Sequence, residues 1–215
     1  MQRRRRSRYS SGIKQLIINH ISENINIYLK ILIIFIIGLC IGIVVVNNLP
    51  ETSLQTINEY INNSINMLKS NNDISKVQIL KSSIFKNIVI VLIIWIFGLT
   101  FIGSFILYFV ALIIGITFGY TLAAIMTSFT FIQGVLFFLT AMLLQNIINI
   151  PSIVFLIVQG IKAQKELFSK QNTSVKYILA RHSAYSILVM ILLIFASFIE
   201  AYVSGNLVNT IIKYL

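Results

Sequence analysis

Apolar residues fill positions 87–161 without a single Asp, Glu, Lys, Arg or His. A bilayer core of about 30 Å is crossed by roughly 20 apolar residues in a helix, so this run has the length for three crossings. Inside lipid a backbone must satisfy its own hydrogen bonds, which leaves helices or a closed barrel. The apolar–polar alternation of a membrane barrel is absent. Further apolar stretches lie on either side of the run. The pattern therefore predicts an all-α polytopic integral membrane bundle of five transmembrane helices. The crossings fall at about 29–49, 85–101, 104–126, 133–158 and 184–203.

The polar segments carry their own periodicity. Over 12–29, Ile13, Leu16, Ile17, Ile21 and Tyr28 recur at helical spacing, with Lys14, Glu23, Asn24 and Asn26 on other faces. This predicts a helix lying in the membrane interface, with His20 on its hydrated side. Between the first two crossings, Pro50 precedes a Thr52–Gln55 capping box. Ile57, Ile61, Ile65 and Leu68 then repeat along one face. One amphipathic helix over about 52–69 is expected, a break at 70–73, and a shorter helix leading into the membrane. The apolar face has to cover something, either the bilayer surface or a partner protein. The chain divides into a basic tail and amphipathic helix (1–30) and a transmembrane domain (31–215) with polar loops at 51–86 and 162–182.

Within the crossings, small and polar residues stand out. Gly38 and Gly42 form a small-xxx-small pair. Ala111, Gly115, Gly119 and Ala123 continue that spacing along one face of the third crossing. Small residues let helix backbones approach closely in lipid, so this face predicts a packing seam. Gly98 and Gly103, with Thr100 and Ser104, predict a tight turn between the second and third crossings. In the fourth, Ala141, Gln145, Asn149 and Ser152 share a face with Asn146 beside it, and Pro151 predicts a kink. Amides at mid-bilayer need partners. Either they bond to neighbouring helices and to the carbonyl freed by Pro151, or they line a polar pocket that binds a ligand. Glu200 is the one acid in the crossings and lies near the far end of its helix.

Charge sets the orientation. The net charge is +11, the hydrophobic share is 57% and the mean hydropathy is +0.89. The basic residues flank apolar segments, which makes them topology determinants rather than a nucleic-acid surface. Seven lie in the N-terminal flank and five in the 162–182 loop, whereas the 51–86 loop has four mixed with three acids. The richer flanks are expected in the cytoplasm, giving a multi-pass protein of the cell membrane with its N-terminus cytoplasmic and its C-terminus extracytoplasmic. The basic run Arg3–Arg6 and Arg8 suits anionic lipid headgroups, at roughly 1 kcal/mol per residue near the surface. Cys40 is the single cysteine. No catalytic residue, metal ligand set or cofactor motif is read from the pattern, and whether the chain forms a homo-oligomer is left open.

Four stretches in order carry a resemblance: Gly98-Leu-Thr-Phe-Ile-Gly103, the glycines at 115 and 119, Gln145 to Pro151, and Ile199-Glu200-Ala201-Tyr202-Val203. Together they resemble the stage II sporulation protein M family over nearly the whole chain. The wider family often carries His-Gly-x-x-Glu-x-Pro in its fourth helix. Gln145, Asn146 and Asn149 stand at the His, Gly and Glu positions here, which removes a titratable pair. The resemblance implies a non-enzymatic membrane scaffold that recruits and localises peptidoglycan-degrading proteins, stage II sporulation proteins D and P, during forespore engulfment. It also makes Gly98, Gly103, Gly115, Gly119, Gln145, Asn146, Asn149, Pro151, Glu200 and Tyr202 the structural or interaction candidates. A small-molecule transporter or channel subunit is the alternative, since polar groups in the membrane can line a path.

Overall fold

The computed structural model describes residues 15, 18–69, 73–169 and 174–204. The expected roles of Arg3–Arg8, Ile13, Lys14, Leu16 and Ile17 lie outside the described residues. Five helices are long and apolar enough to cross a bilayer, and the described residues contain no strand. In order they are α1 (Ile25–Asn47), α2 (Glu51–Lys69), α3 (Asp73–Phe97), α4 (Gly103–Ser128), α5 (Phe131–Phe137), α6 (Leu144–Phe168) and α7 (Val175–Phe198). Two π-helical turns, Phe138–Leu143 and Ile199–Ser204, join α5 to α6 and extend α7.

Consecutive spans run antiparallel, so the bundle has two ends. One carries the 98–102 turn and the α6–α7 connection; the other carries α2. The shared core is Ile94, Leu107, Leu156, Ile157, Ile161 and Leu193, each fully buried. At the turn end Gln164 accepts a hydrogen bond from the Ser104 hydroxyl and donates to the Phe101 carbonyl. Phe101 packs edge-on against Phe168, and Arg181 pairs with Glu166 at 2.5 Å. These contacts tie the turn to both ends of the α6–α7 connection.

The most extensive helix pairing is α1 against α4. The two helices run parallel, with Gly38 facing Leu112–Ile116 and Gly42 facing Ile116–Tyr120. A Cβ on Gly115 or Gly119 would fall on the carbonyl oxygens of Phe35 or Leu39. The two small-residue pairs of the sequence thus meet each other, backbone to backbone, which is how helices gain dispersion contact where lipid removes the hydrophobic drive.

Several expectations are corrected. α1 starts at Ile25, so residues 25–29 belong to the crossing and not to a separate interfacial helix. The helical residues before it turn at Asn24, whose side chain donates to the His20 carbonyl at 2.7 Å. His20 is packed rather than hydrated: its ring meets Phe155 at 5.5 Å and Tyr28 at 6.2 Å, and its Nε2 is 3.1 Å from Gln159 Nε2. α2 begins at Glu51, and Ser53 and Leu54 donate to the Pro50 carbonyl, so Thr52 sits inside the helix instead of capping it. The side chains of Ile65 and Leu68 lie outside the described residues; Ile57 and Ile61, half-buried, turn toward Ala124 and Ile125 of α4 across a space that all four line, and Ser128 donates to Asn58 at 2.5 Å.

The fourth crossing is the largest departure. It is α6, reaching Phe168, and the helix runs through the exposed Pro151 as α-helix. An irregularity that the pattern did not mark lies earlier, in the π-turn at Phe138–Leu143. Along this stretch Thr140 and Asn146 donate to the carbonyls four residues back, at Leu136 and Met142. No local signal in the sequence marks such a turn, whereas proline marks a kink by its missing donor.

Candidate functional site

Lys86 sets the depth of the site. From Lys86 to Phe97 α3 rises about 16 Å at 1.5 Å per residue. That is roughly half of a bilayer core. Exposed Phe101, Ile102 and Phe105 carry the apolar zone beyond Phe97, so Lys86 lies toward the α2-side edge of the membrane-spanning part, exposed on its flank. Among the described residues it makes no ion pair. An ionisable group there needs a partner or water.

Around this level, polar residues from four helices gather. Asn87, 2% exposed, donates to the Leu193 carbonyl at 3.2 Å and to Ser197 Oγ at 2.9 Å. The Ser197 and Ser83 hydroxyls are 3.0 Å apart, and Ser83 donates to Glu200 at 2.5 Å. The Ser197 hydroxyl donates to the Leu193 carbonyl at 3.0 Å. These contacts link Asn87, Ser197, Ser83 and Glu200 across the α3–α7 interface.

On the other side of Asn87 lies a cavity of about 380 Å³ between α3, α4 and α6. Lys86, Thr117, Gln145, Asn146 and Asn149 line its polar part, and Ile90, Ile113, Ile114 and Ile153 its apolar part. Asn146 donates to the Met142 carbonyl at 2.8 Å. The Oδ1 of Asn149 and the Oε1 of Gln145 are buried without a hydrogen-bond partner. Leaving a buried acceptor unmade costs about 1–3 kcal/mol. The expectation that these amides are satisfied by neighbouring helices is thus not met at two acceptor atoms. Ser152 does not join Gln145 and Asn149 in lining this cavity; the side chain of Ala141 lies outside the described residues.

The expected depth difference between Gln145 and Glu200 also disappears. Gln145 is the second residue of α6, and the π-turn carrying Glu200 touches both α6 and the Phe138–Leu143 turn. Both residues lie at the α2 end. Tyr202, 41% exposed, stacks on Phe198 at 6.2 Å and stays on the outside. Gly98 and Gly103 hold the opposite end. A Cβ on Gly103 would meet the Phe97 carbonyl, and one on Gly98 would lie 2.7 Å from His182 Nε2 and 2.9 Å from the Cα of Gly160.

His182 is a residue the pattern alone does not single out. It is 1% exposed, and neither ring nitrogen makes a hydrogen bond of normal geometry. The carbonyls of Ile94 and Trp95 bear on the ring electrostatically. Beside it the Trp95 indole donates to Ser183 at 3.0 Å. A histidine within an apolar span was its one available signal.

A family profile, stage II sporulation protein M, matches residues 31–205. The chain belongs to the stage II sporulation protein M family. Membership covers all five spans, the glycine seam, the polar cavity and the Ser83–Glu200 bond. It makes the chain a multi-pass sporulation membrane protein. No curated protein and no solved structure gave a match. Among the described residues no group of three His, Cys, Asp or Glu is placed to hold a metal.

Proposed function

We propose that the protein is a non-enzymatic scaffold in the cell membrane that recruits and localises peptidoglycan-degrading proteins at the sporulation septum during engulfment. By family resemblance its partners are stage II sporulation proteins D and P. The N-terminus and the α6–α7 connection face the cytoplasm, and α2 and the C-terminus face the other side, where peptidoglycan lies. The observation that supports this reading most is the placement of α2. Ile57 and Ile61 turn toward α4, so the polar face of α2, with Gln55, Glu59, Asn62 and Asn63 exposed, is presented outward. Such a face, with Tyr60 exposed beside it, offers hydrogen bonds, charge and an aromatic ring to a partner.

Affinity isolation of the tagged protein from sporulating cells tests the reading. Two peptidoglycan-degrading enzymes are expected to co-purify. Glu59→Lys combined with Asn62→Lys is expected to lose them while the protein still accumulates in the membrane. Recovery of neither enzyme with the unaltered protein overturns the reading.

The transporter alternative draws on the polar cavity. Against it, the space beyond Ile153 is filled by Leu156, Ile157 and Ile161, all fully buried. A path through the bundle requires those side chains to part, which favours a blind site over a conduit.

A further inference from the structure

The cavity has a chemistry that the scaffold role does not use. Its wall includes two amides whose acceptors lack a donor: Asn149 is 8% exposed, and its Oδ1 and the Oε1 of Gln145 are buried without a partner. Its mouth presents a cation, Lys86. Its remaining wall is aliphatic. The mouth opens sideways between α3 and α4, where Lys86, Ile113 and Thr117 are exposed on the flank of the bundle. That flank belongs to a span long and apolar enough to cross a bilayer, toward its α2 end. A volume of about 380 Å³ falls in the range of small-molecule sites. It has room for a headgroup and the adjoining glycerol, with the acyl chains left in the bilayer.

From these features we infer that the cavity binds one anionic phospholipid with a hydroxylated headgroup. The phosphate pairs with Lys86, which supplies a charge-assisted hydrogen bond. With a rotation of each amide toward the cavity, the headgroup hydroxyls donate to Asn149 Oδ1 and Gln145 Oε1, the two acceptors that the fold leaves without a donor. The first methylenes of an acyl chain lie on Ile90, Ile113 and Ile114. A choline headgroup has no N–H or O–H and cannot satisfy the two amides. A headgroup carrying an ammonium brings a second cation towards Lys86. Phosphatidylglycerol meets all three requirements.

The test uses the full-length protein in nonionic detergent. The midpoint of thermal unfolding is followed against added dioleoylphosphatidylglycerol, dioleoylphosphatidylcholine or glycerol 3-phosphate. Phosphatidylglycerol is expected to bind saturably, about tenfold more tightly than phosphatidylcholine, the scale of the two neutral hydrogen bonds to Asn149 and Gln145 that a choline cannot make. Glycerol 3-phosphate is expected to have no effect in the same range, because it lacks the chains that hold the headgroup at the mouth. Lys86→Gln is expected to weaken phosphatidylglycerol binding about tenfold. Lys86 is exposed, so this variant does not threaten the core.

Lys81→Gln removes the same charge from an exposed position of the same helix outside the cavity and is expected to bind like the unaltered protein. Gln145→Met is expected to narrow the preference for glycerol over choline headgroups. Three results overturn the inference. The first is equal binding of the two lipids, which leaves a water-filled cavity. The second is equal loss in Lys81→Gln and Lys86→Gln, which leaves diffuse attraction to a basic protein. The third is binding of glycerol 3-phosphate as tight as that of the lipid, which makes the site one for soluble phosphate esters. None of these bears on recruitment of enzymes by α2.

Discussion

Ser83 and Glu200, 117 residues apart, are joined by a hydrogen bond of 2.5 Å. The bond links the first half of α3 to the π-turn that ends the last crossing. Ser83 is 7% exposed, and without Glu200 its hydroxyl is left with the Ser197 oxygen, 3.0 Å away, as acceptor. Glu200→Leu is expected to destabilise the protein by about 1–2 kcal/mol, the scale of one hydrogen bond to a charged group partly offset by that replacement. Glu200→Gln keeps an acceptor oxygen and is expected to lose less than half of that. Thermal unfolding in detergent reads both. In sporulating cells, Glu200→Leu is expected to impair engulfment while the protein still reaches the membrane. Unchanged stability in the Leu variant would reduce Glu200 to a hydrated residue at the membrane surface.

The glycine seam predicts a sharper failure. In Gly115→Leu and Gly119→Leu the new side chain meets the carbonyls of Phe35 and Leu39. These are backbone atoms and do not rotate away. Overpacking typically costs about 1–3 kcal/mol and more where nothing yields. Both variants are expected to be depleted from the membrane fraction on immunoblots. Gly38→Leu is expected to match them, because its Cβ meets the Leu112 carbonyl from the other side. Normal accumulation of all three would mean that α1 and α4 part in the membrane.

Orientation is open to a direct measurement. In a Cys40→Ser background, Cys at Asn63 is expected to react with an impermeant thiol reagent in intact cells. Cys at Gln171, which lies outside the described residues, is expected to react only after permeabilisation. The reverse pattern would invert the charge-based topology and, with it, the placement of α2.

His20 makes the docking of the N-terminal segment pH-dependent. Burial lowers its pKa below the ordinary value of 6.5; repulsion from Lys162 adds to this, and Glu23 opposes it in part. With the docked pKa depressed, the undocked form binds more protons on acidification. Docking is therefore at full strength above 6.5 and weakens as pH falls from 6.5 through the lowered value. Hydrogen exchange at residues 18–24 is expected to quicken over that window. His20→Phe should keep the ring contacts with Phe155 and Tyr28 and remove the pH dependence. The same acid-induced quickening in that variant would assign the effect to another group.

The crossings and their order were legible because lipid imposes a strict local demand. Every span must be a long apolar helix that satisfies its own backbone, and residues 87–161 announce this by lacking charge. The glycine spacing at 38/42 and 115/119 was legible for a similar reason: close approach in lipid requires small residues in register. Which stripe meets which was not, because pairing is a choice among helices distant in the chain, and only packing makes it. The same holds for α2. Its apolar period is plain from Ile57 and Ile61, but only the bundle set Ala124 and Ile125 opposite them. The π-turn before Gln145 has no local mark. The Asn149 and Gln145 oxygens could be named from the sequence as polar groups in a membrane. That they stand without donors, a few residues from an unpaired Lys86 on another helix, is decided only where α3, α4 and α6 come together.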